Sequence, residues 1–360
     1  GNPIIFTNGD NDTFPLWYNQ ETEGFRTDVR VCNLSYLQTD WYIDQMRRPA
    51  YESPSVPINW ERIDYVQGHN EAVYVRPEAM ETINNYYKQN PEEAKKEFGD
   101  NPYELKNILK YWVRSPKEGL QMIPTDSLVI KLDKEAIKRS GMLVPDSIPD
   151  YMSISLKGKR VLYKSELMML EMLANTNWER PMYMAITVGA DNHLNLTNNF
   201  LQEGLAYRIT PFDNAKLGRR IHSEKMYDNL MNKFKFGGID NPDIYLDETV
   251  LRMCDTHRRL FVQLASQLIK EGKKDKALKV LDYCEKVIPS TTVRHDYIYS
   301  SSKEMADNYI QLGQTQKAEN ILEQLANNSV EYAAWYLSLD NDRFAGSYEE
   351  CMRHFYILDD

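Results

Sequence analysis

The chain has 360 residues, a length that predicts two domains or more. Hydrophobic residues make up 42% of it and charged residues 27%, the balance of a globular protein. A net charge of −10, with no stripe of Lys and Arg, argues against a nucleic-acid partner and against attraction to anionic lipid. The sequence has no run of about eighteen apolar residues, which a membrane-spanning helix needs. It opens on Gly-Asn-Pro and reaches a core strand at once, so we expect a fragment of a longer protein.

Residues 1 to 18 predict a strand, an acidic loop and a helix. Residues 4 to 6 are apolar and suit a short buried strand, and Thr13 is placed to cap a helix over residues 14 to 23. The loop after a strand lies at the carboxyl edge of an open α/β sheet, where such folds bind ligands. Small polar side chains crowd this loop: Asn8, Asp10, Asn11, Asp12 and Thr13. They could hold a cation or sugar hydroxyls, or could simply satisfy the free N–H groups of the helix.

A second strand is predicted over residues 29 to 34 and a second helix over residues 41 to 48. Strand, helix and strand in so short a segment favour a βαβ unit, so we expect the first two strands to be parallel. Asp40 and Trp41 would then lie at the same carboxyl edge as the acidic loop.

The next part of the chain predicts an insertion that is mainly helical. A proline-rich loop over residues 49 to 60 and an edge strand over residues 72 to 75 come first. Helical spacing of apolar residues, with Pro at two of the starts, then predicts three helices: residues 78 to 88, 92 to 98 and 103 to 113.

Strands return after this insertion. Apolar runs predict strands over residues 127 to 132 and 182 to 188, and Lys157-Gly158-Lys159 predicts a hairpin of residues 152 to 156 with residues 160 to 163. Between them, Ser165 is placed to cap a helix through residue 174. The Met-rich face of that helix indicates core packing rather than a cofactor site.

The exit of strand 182 to 188 repeats the pattern of the first loop. Gly189 is followed by Asp191, Asn192 and His193, and Thr197 is placed to cap a helix over residues 199 to 207, before a short strand at 208 to 211. If this strand is a parallel neighbour of the first, one edge gathers acidic residues and an imidazole: Asp10, Asp12, Asp40, Asp191 and His193. Such a set could hold a divalent cation, with Asp10, Asp12 and His193 as the candidate ligands. It could equally bind sugar hydroxyls, or consist of separate caps and turns.

A helix over residues 223 to 234 and a Gly-Gly linker at 236 to 242 suggest a domain boundary. The predicted fold class is a Rossmann-like α/β domain with a helical insertion over residues 1 to 236, followed by an all-α, tetratricopeptide-like repeat domain over residues 240 to 360. Gly272 and Gly313 turn two helix pairs in phase, 41 residues apart. A standard unit has about 34 residues, so about seven are inserted near residues 290 to 296. A third, poorer pair is predicted over residues 330 to 356.

Four cysteines lie far apart, at Cys32, Cys254, Cys284 and Cys351. None belongs to a C-x-x-C pair, which argues against zinc and against a thioredoxin-type site. Cys32 and Cys284 are expected to be small buried hydrophobes. A disulfide between Cys254 and Cys284 stays open from sequence.

The stretch from residue 6 to residue 46, FTNGDNDTFPLWYNQETEGFRTDVRVCNLSYLQTDWYIDQM, resembles the soluble part of a family of bacterial multi-pass membrane proteins. That family was long catalogued as a domain of unknown function. It is similar to the eukaryotic transmembrane O-mannosyltransferase that carries C-terminal tetratricopeptide repeats. The resemblance covers most of the chain and is strongest over residues 4 to 46 and from residue 258 onward.

The resemblance implies an intact glycosyltransferase of the lipid-linked-donor type, with this segment on the periplasmic side of the inner membrane and inactive alone. It implies that the partner is a membrane-embedded part of the same polypeptide. It also implies that three segments contact a glycan or peptide acceptor or a donor headgroup: Gly9-Asp10-Asn11-Asp12-Thr13, Trp17-Tyr18 and Thr39-Asp40-Trp41-Tyr42. No catalytic residue carries over. Two alternatives remain: a free-standing metal-dependent enzyme that uses the Asp/His edge, and a repeat-based scaffold for a partner protein.

Overall fold

The computed structural model describes residues 1–117 and 119–360. These residues form two compact units, Gly1–Arg220 and Ile221–Asp360. The first unit mixes strands with helices, and the second is helical, so the predicted division into an α/β region and an all-α region is confirmed.

Within its described residues, the first unit has these strands: β1 (Ile4–Thr7), β2 (Arg30–Asn33), β3 (Ala72–Val75), β4 (Met122–Ile123), β5 (Ser127–Lys131), β6 (Tyr151–Ser155), β7 (Val161–Tyr163), β8 (Met182–Ala185), β9 (Phe200–Gln202) and β10 (Ala206–Ile209). Its helices are α1 (Asp10–Glu21), α2 (Asp40–Met46), α3 (Arg62–Tyr65), α4 (Ala79–Gln89), α5 (Pro91–Phe98), α6 (Leu105–Ile108), α7 (Lys134–Arg139) and α8 (Lys164–Asn175). Short 3-10 turns cover Tyr36–Gln38, Ala190–Asn192 and Thr197–Asn199, and a π-helical turn, Leu109–Val113, continues α6.

The largest sheet has the strand order β2-β1-β8-β10-β9. β1 lies between β2 and β8 and is parallel to both. The parallel pairing of β1 with β2 confirms the predicted βαβ unit. β10 and β9 extend the sheet in antiparallel fashion. Because β1, β2 and β8 run in one direction, the loops that follow them meet at one edge of the sheet.

Two smaller sheets have the orders β4-β3-β7 and β5-β6. The predicted hairpin around Gly158 is therefore wrong, because β6 pairs with β5 and β7 pairs with β3. Gly158 does turn the chain, with a φ of 85°. The two flanking strands instead find distant partners against which their alternate apolar residues are buried, and packing of this kind outweighs closeness in sequence. β3 also proves to be a central strand rather than the predicted edge strand.

The helix predicted over residues 199 to 207 is replaced by the antiparallel pair of β9 and β10. Gly204 lies between them with a φ of 140°, a conformation that a helix does not contain. The rings of Phe200 and Tyr207 stack across the pair, with centroids 5.3 Å apart. Cross-strand aromatic packing therefore stabilises strands where the helical spacing of apolar residues suggested a helix.

α8 is buried along nearly its whole length, and Met168, Met169 and Met172 all lie in the core of the first unit. The prediction that these methionines fill the core is confirmed. Ser165 does not cap the helix as predicted, because the helix begins at Lys164 and Tyr163 takes the N-cap position. The hydroxyl of Ser165 accepts a hydrogen bond from Gln38 Nε2 at 2.7 Å, while Glu166 accepts the N–H of Tyr163 at the helix start.

The helices of the second unit are α9 (Ser223–Asp228), α10 (Glu248–Lys270), α11 (Lys274–Val287), α12 (Ser302–Gln311), α13 (Thr315–Leu337) and α14 (Asn341–Asp359), with a π-helical turn, Asn229–Lys233, after α9. α10 packs against α11 and α12, and α13 packs against α12 and α14. Gly272 and Gly313, with φ of 75° and 74°, form the turns after α10 and α12, as the sequence pattern predicts.

The second unit begins earlier than the Gly-Gly segment near residue 238 suggested. Glu224 of α9 forms ion pairs with Lys273 at 2.6 Å and Lys276 at 2.8 Å, and Ser223 donates a hydrogen bond to Glu271 at 2.9 Å. These contacts tie α9 to the turn between α10 and α11. The glycines therefore lie in a loop inside the helical unit.

All four cysteines are buried and unpaired, so the disulfide left open from sequence is not formed. Burial raises the pKa of Cys32 to about 12. Among residues 1–117 and 119–360, no helix combines the length and the apolar character needed to cross a bilayer.

Candidate functional site

The loops after β1 and β8 meet through the carboxylate of Asp12. Its Oδ1 accepts the N–H of Gly9 at 2.9 Å, and its Oδ2 accepts the N–H of Asn8 at 3.1 Å. The hydroxyl of Thr187, just after β8, donates to Oδ2 at 2.9 Å. Asp12 therefore holds the start of α1 and joins two strand exits, and its oxygens are largely used within the protein.

Thr13 is not the cap of α1, because the N-cap position is taken by Gly9. Its hydroxyl is buried, donates to Thr7 Oγ1 at 2.8 Å and accepts from Asn33 Nδ2 at 2.9 Å. The predicted cap is wrong because the helix starts four residues earlier and turns Thr13 toward the sheet. Thr13 thus connects the ends of β1 and β2.

The remaining polar residues of the first loop are more accessible. Asp10 and Asn11 are exposed in the first turn of α1. Asn8 is half-buried, and its Oδ1 accepts the hydroxyl of Ser35 at 2.9 Å. These side chains surround the start of α1 at the carboxyl edge, as predicted.

Asp40 does not join the other acidic residues. It lies 3.7 Å from the guanidinium of Arg62 and accepts the N–H of Gln67 at 3.4 Å. Arg62 also pairs with Asp44. Asp40 therefore belongs to a separate charged cluster on α2 and α3, because its position in the first turn of α2 directs it toward α3.

His193 is buried in its own loop. Its Nε2 lies 2.9 Å from the carbonyl oxygen of Val188, and its ring packs edge-on against Phe200. Burial holds the pKa of His193 below its ordinary value. Asp191 is exposed and Asn192 half-buried in the preceding 3-10 turn. His193 thus closes a loop instead of facing an open edge.

The predicted metal site of Asp10, Asp12 and His193 is not assembled. Across residues 1–117 and 119–360, no three His, Cys, Asp or Glu side chains are grouped as metal ligands. The physical reason is that Asp12 is occupied by N–H and O–H donors, and that the imidazole of His193 is engaged by a carbonyl group.

Aromatic side chains form a continuous row beside this edge: Phe14, Trp17, Tyr36, Trp41 and Tyr42. Along the row, successive ring centroids are 5.7, 6.1, 6.0 and 5.5 Å apart. Such spacings are those of directly packed rings. Trp41 is 55% exposed, so the row presents an indole ring to solvent.

A groove of about 370 Å³ runs between α1 and α2 along β2, and we call it the α1–α2 groove. Residues that line it include Trp17, Glu21, Arg30, Trp41, Gln45 and Tyr51. The hydroxyl of Tyr51 donates to Glu21, and this hydrogen bond is the main reason that the pKa of Tyr51 is raised. The groove therefore combines two indole rings with carboxylate, phenol and amide groups.

Arg30 supplies positive charge to the α1–α2 groove. It is 5% exposed and donates to the carbonyl oxygen of Arg48 at 2.6 Å, while its Nε has no hydrogen-bond partner. Burial lowers the pKa of Arg30, but an arginine stays protonated at neutral pH.

Tyr42 closes the outer edge of β2. Its hydroxyl accepts the N–H of Asn33 at 3.0 Å and donates to the carbonyl oxygen of Val31 at 3.3 Å. Burial raises the pKa of Tyr42, which keeps the hydroxyl neutral and able to donate. β2 is thereby protected from pairing with another strand.

Sequence reasoning named Trp17, Trp41 and Tyr42 but missed the other two rings of the row. Phe14 lies three residues before Trp17, and helical spacing places both side chains on one face of α1. That spacing was a usable signal. Tyr36 gave no signal, because its ring reaches Trp17 only through the turn after β2.

The molecule is thus a two-unit protein with a mixed α/β unit, whose sheet edge carries an aromatic groove, and a helical unit. Residues 1–228 match the family model described as TMEM260-associated domain 2, and the chain belongs to that family. No curated protein and no solved structure matches the chain at a significant level.

Proposed function

We propose that this chain is the extracytoplasmic part of a TMEM260-like membrane glycosyltransferase, and that it binds a glycan in the α1–α2 groove without transferring sugar alone. Membership in the TMEM260-associated family and the resemblance of residues 6 to 46 to membrane glycosyltransferases support the setting. The observation that carries the proposal is the exposed indole of Trp41 in the aromatic row, beside the polar groups of the groove.

The chemistry of the α1–α2 groove suits a sugar. A pyranose ring has a face of C–H groups that packs on an aromatic ring, and hydroxyl groups around its rim that need hydrogen-bond partners. The indoles of Trp17 and Trp41 provide the aromatic surface, and Glu21, Gln45 and Tyr51 provide the hydrogen-bond partners. Because the described residues of the acidic edge do not assemble a metal site, sugar binding explains this region better than a metal-dependent enzyme does.

The helical unit supports the same assignment. Gly272 and Gly313 turn two helix pairs with matching backbone conformation, which supports tetratricopeptide-like pairs. Such pairs accompany the membrane part in the glycosyltransferases that the chain resembles. We therefore infer that the membrane-embedded partner is part of the same polypeptide, and that these units lie on the periplasmic side of the inner membrane.

The test is glycan binding by the whole chain, measured on an array of immobilised mono- and oligosaccharides and then by calorimetry. Trp41→Ala is expected to weaken binding about tenfold, because loss of one aromatic contact costs about 1.4 kcal/mol. The matched control is Tyr74→Ala, which removes an exposed ring from β3 and should leave binding unchanged. Absence of glycan binding, or equal binding by Trp41→Ala, would contradict the proposal.

Two further observations test the setting. The gene upstream of this segment should encode several spans of about twenty apolar residues. Incubation of the chain with nucleotide sugars and acceptor peptides should give no transfer. Robust transfer by the chain alone would show that it is itself a transferase.

A further inference from the structure

β6 has one edge that pairs with β5 and one edge that does not. Leu132 N–H donates to the carbonyl oxygen of Asp150 at 2.9 Å, and Leu156 N–H donates to that of Asp126 at 2.7 Å. In an antiparallel ladder, residue pairs that exchange main-chain hydrogen bonds alternate with pairs that do not. These two bonds therefore show which residues of β6 bond to β5. The main-chain groups of residues 151, 153 and 155 must therefore point away from β5.

These outward groups are accessible. Tyr151, Ser153 and Ser155 are all exposed. The carbonyl oxygen of Ser155 accepts a hydrogen bond from Asn195 Nδ2 at 2.8 Å. Within the described residues, the N–H and C=O of Tyr151 and Ser153 and the N–H of Ser155 have no protein partner. They form a row of donors and acceptors with the spacing of an extended chain.

The outer edges of three other strands in the same unit have hydrogen-bond partners. Tyr42 closes β2, as described above. Val129 of β5 donates its N–H to the carbonyl oxygen of Tyr103 at 3.0 Å, and Gln202 of β9 donates its N–H to that of Arg220 at 2.9 Å. Proteins commonly protect edge strands because unpaired ones recruit other chains. The open edge of β6 therefore contrasts with its neighbours.

A groove of about 520 Å³ lies against this open edge, and we call it the β6 groove. Ser153 and Ser155 line one side, and Asn195, Asn198 and Phe212 are among the residues of the other. The walls thus offer main-chain groups and side-chain amides, which recognise peptide groups. The charged residues at the rim, Asp213 and Lys216, pair with each other at 3.5 Å, so the groove carries little net charge.

We propose that the β6 groove binds an extended, neutral polypeptide segment that pairs with β6 as an added strand. Main-chain hydrogen bonds to Tyr151 and Ser153 supply the affinity, and the amides of Asn195 and Asn198 contact its outer side. This is peptide recognition by β-strand addition. It involves residues other than those of the α1–α2 groove, so it holds or fails independently of glycan binding.

Ser153 provides a matched pair of variants for the test. Ser153→Pro removes the outward N–H without touching the ladder to β5, because that N–H is not part of it. Ser153→Ala removes the hydroxyl and keeps the N–H. Both variants should keep the far-UV spectrum and the melting temperature of the native chain.

The probe is a phage-displayed library of random peptides of roughly ten residues, selected against the whole chain. A selected peptide is expected to bind Ser153→Pro more than about tenfold more weakly, and Ser153→Ala unchanged. N-methylation of alternate residues of the peptide should abolish binding in the same way. Bound peptide should slow amide hydrogen exchange at Tyr151, Ser153 and Ser155.

Three results would overturn the proposal. The first is the selection of no peptide. The second is a selected peptide that binds native chain and Ser153→Pro equally, or that leaves the exchange of these amides unchanged. The third is a concentration-dependent dimer that Ser153→Pro abolishes, because the occupant of the β6 groove would then be a second copy of this chain. If Ser153→Pro fails to fold, the N-methylated peptide and the exchange measurement decide.

Discussion

The hydroxyl of Thr187 donates a hydrogen bond to the carboxylate of Asp12 at 2.9 Å, across 175 positions in the sequence. The two residues follow neighbouring parallel strands, and Asp12 also accepts the N–H groups of Asn8 and Gly9. One carboxylate therefore stabilises both the start of α1 and the junction of two strand exits.

Asp12→Ala should destabilise the first unit by about 1–3 kcal/mol, because it leaves two N–H groups and one hydroxyl without an acceptor. Urea unfolding followed by circular dichroism measures the change. The matched control is Asp10→Ala, in the same turn but exposed, which should change the free energy of unfolding by less than about 0.5 kcal/mol. Equal effects of the two variants would show that Asp12 has no special structural role.

His193 should make the stability of the first unit depend on pH. Burial lowers the pKa of the folded imidazole, so protonation costs more in the folded than in the unfolded chain. The stabilisation is complete above the ordinary pKa of about 6.5 and is lost as the pH falls through the lowered folded value. His193→Gln keeps an N–H donor for Val188 and removes the titration.

Unfolding in urea at about pH 7 and about pH 5 checks this prediction. The native chain should lose more stability over this interval than His193→Gln does. A variant with the same loss as the native chain would mean that other groups account for the pH dependence.

Arg258 should be essential to the second unit. It is fully buried, and its guanidinium donates to the carbonyl oxygens of Ile288 at 3.0 Å, Val293 at 2.7 Å and Arg294 at 3.1 Å. Arg258→Met should reduce stability by about 3 kcal/mol or more, because these three carbonyl groups lose their donors.

The control for this prediction lies on the same helix. Arg252→Met removes an exposed guanidinium that pairs with Glu248, and should cost less than about 0.5 kcal/mol. Thermal unfolding of the two variants measures the difference. A small effect of Arg258→Met would mean that the segment from Ile288 to Arg294 holds its shape without the arginine.

The local pattern of the sequence predicted much of the fold. Apolar runs and helical spacing predicted strands β1, β2, β5 and β8, the helical region after residue 240 and the parallel pairing of β1 with β2. These elements are predictable because each one is set by its own periodicity and by short connections.

The errors arose where residues distant in the sequence determine the strand pairing or the start of a helix. Lys157-Gly158-Lys159 looked like a hairpin, yet its flanking strands pair with β5 and β3, which no local pattern reveals. Thr13 and Ser165 looked like helix caps, yet both helices begin earlier. The hydroxyls of Thr13 and Ser165 form tertiary hydrogen bonds instead. A capping signal fixes the end of a helix only to within a few residues.

The candidate site was predicted in composition but not in arrangement. The sequence placed Asp10 and Asp12 in the loop after β1, and in the structure both lie in the first turn of α1 at that strand exit. It could not show that Asp12 is already saturated by N–H and O–H donors, or that His193 is turned toward a carbonyl group. Side-chain direction depends on the tertiary contacts of each loop, and these are absent from a linear pattern.

The position of β1 in the sheet affects how the first unit folds during synthesis on the ribosome. β1 (Ile4–Thr7) precedes the rest of the first unit in the chain, but one of its two neighbours, β8 (Met182–Ala185), is synthesised only after most of that unit. At about 5–20 residues per second, the strand waits for roughly ten seconds or longer with one edge unpaired. The order of assembly therefore differs from the order of synthesis, and the nascent chain must keep an apolar strand from premature pairing during that interval.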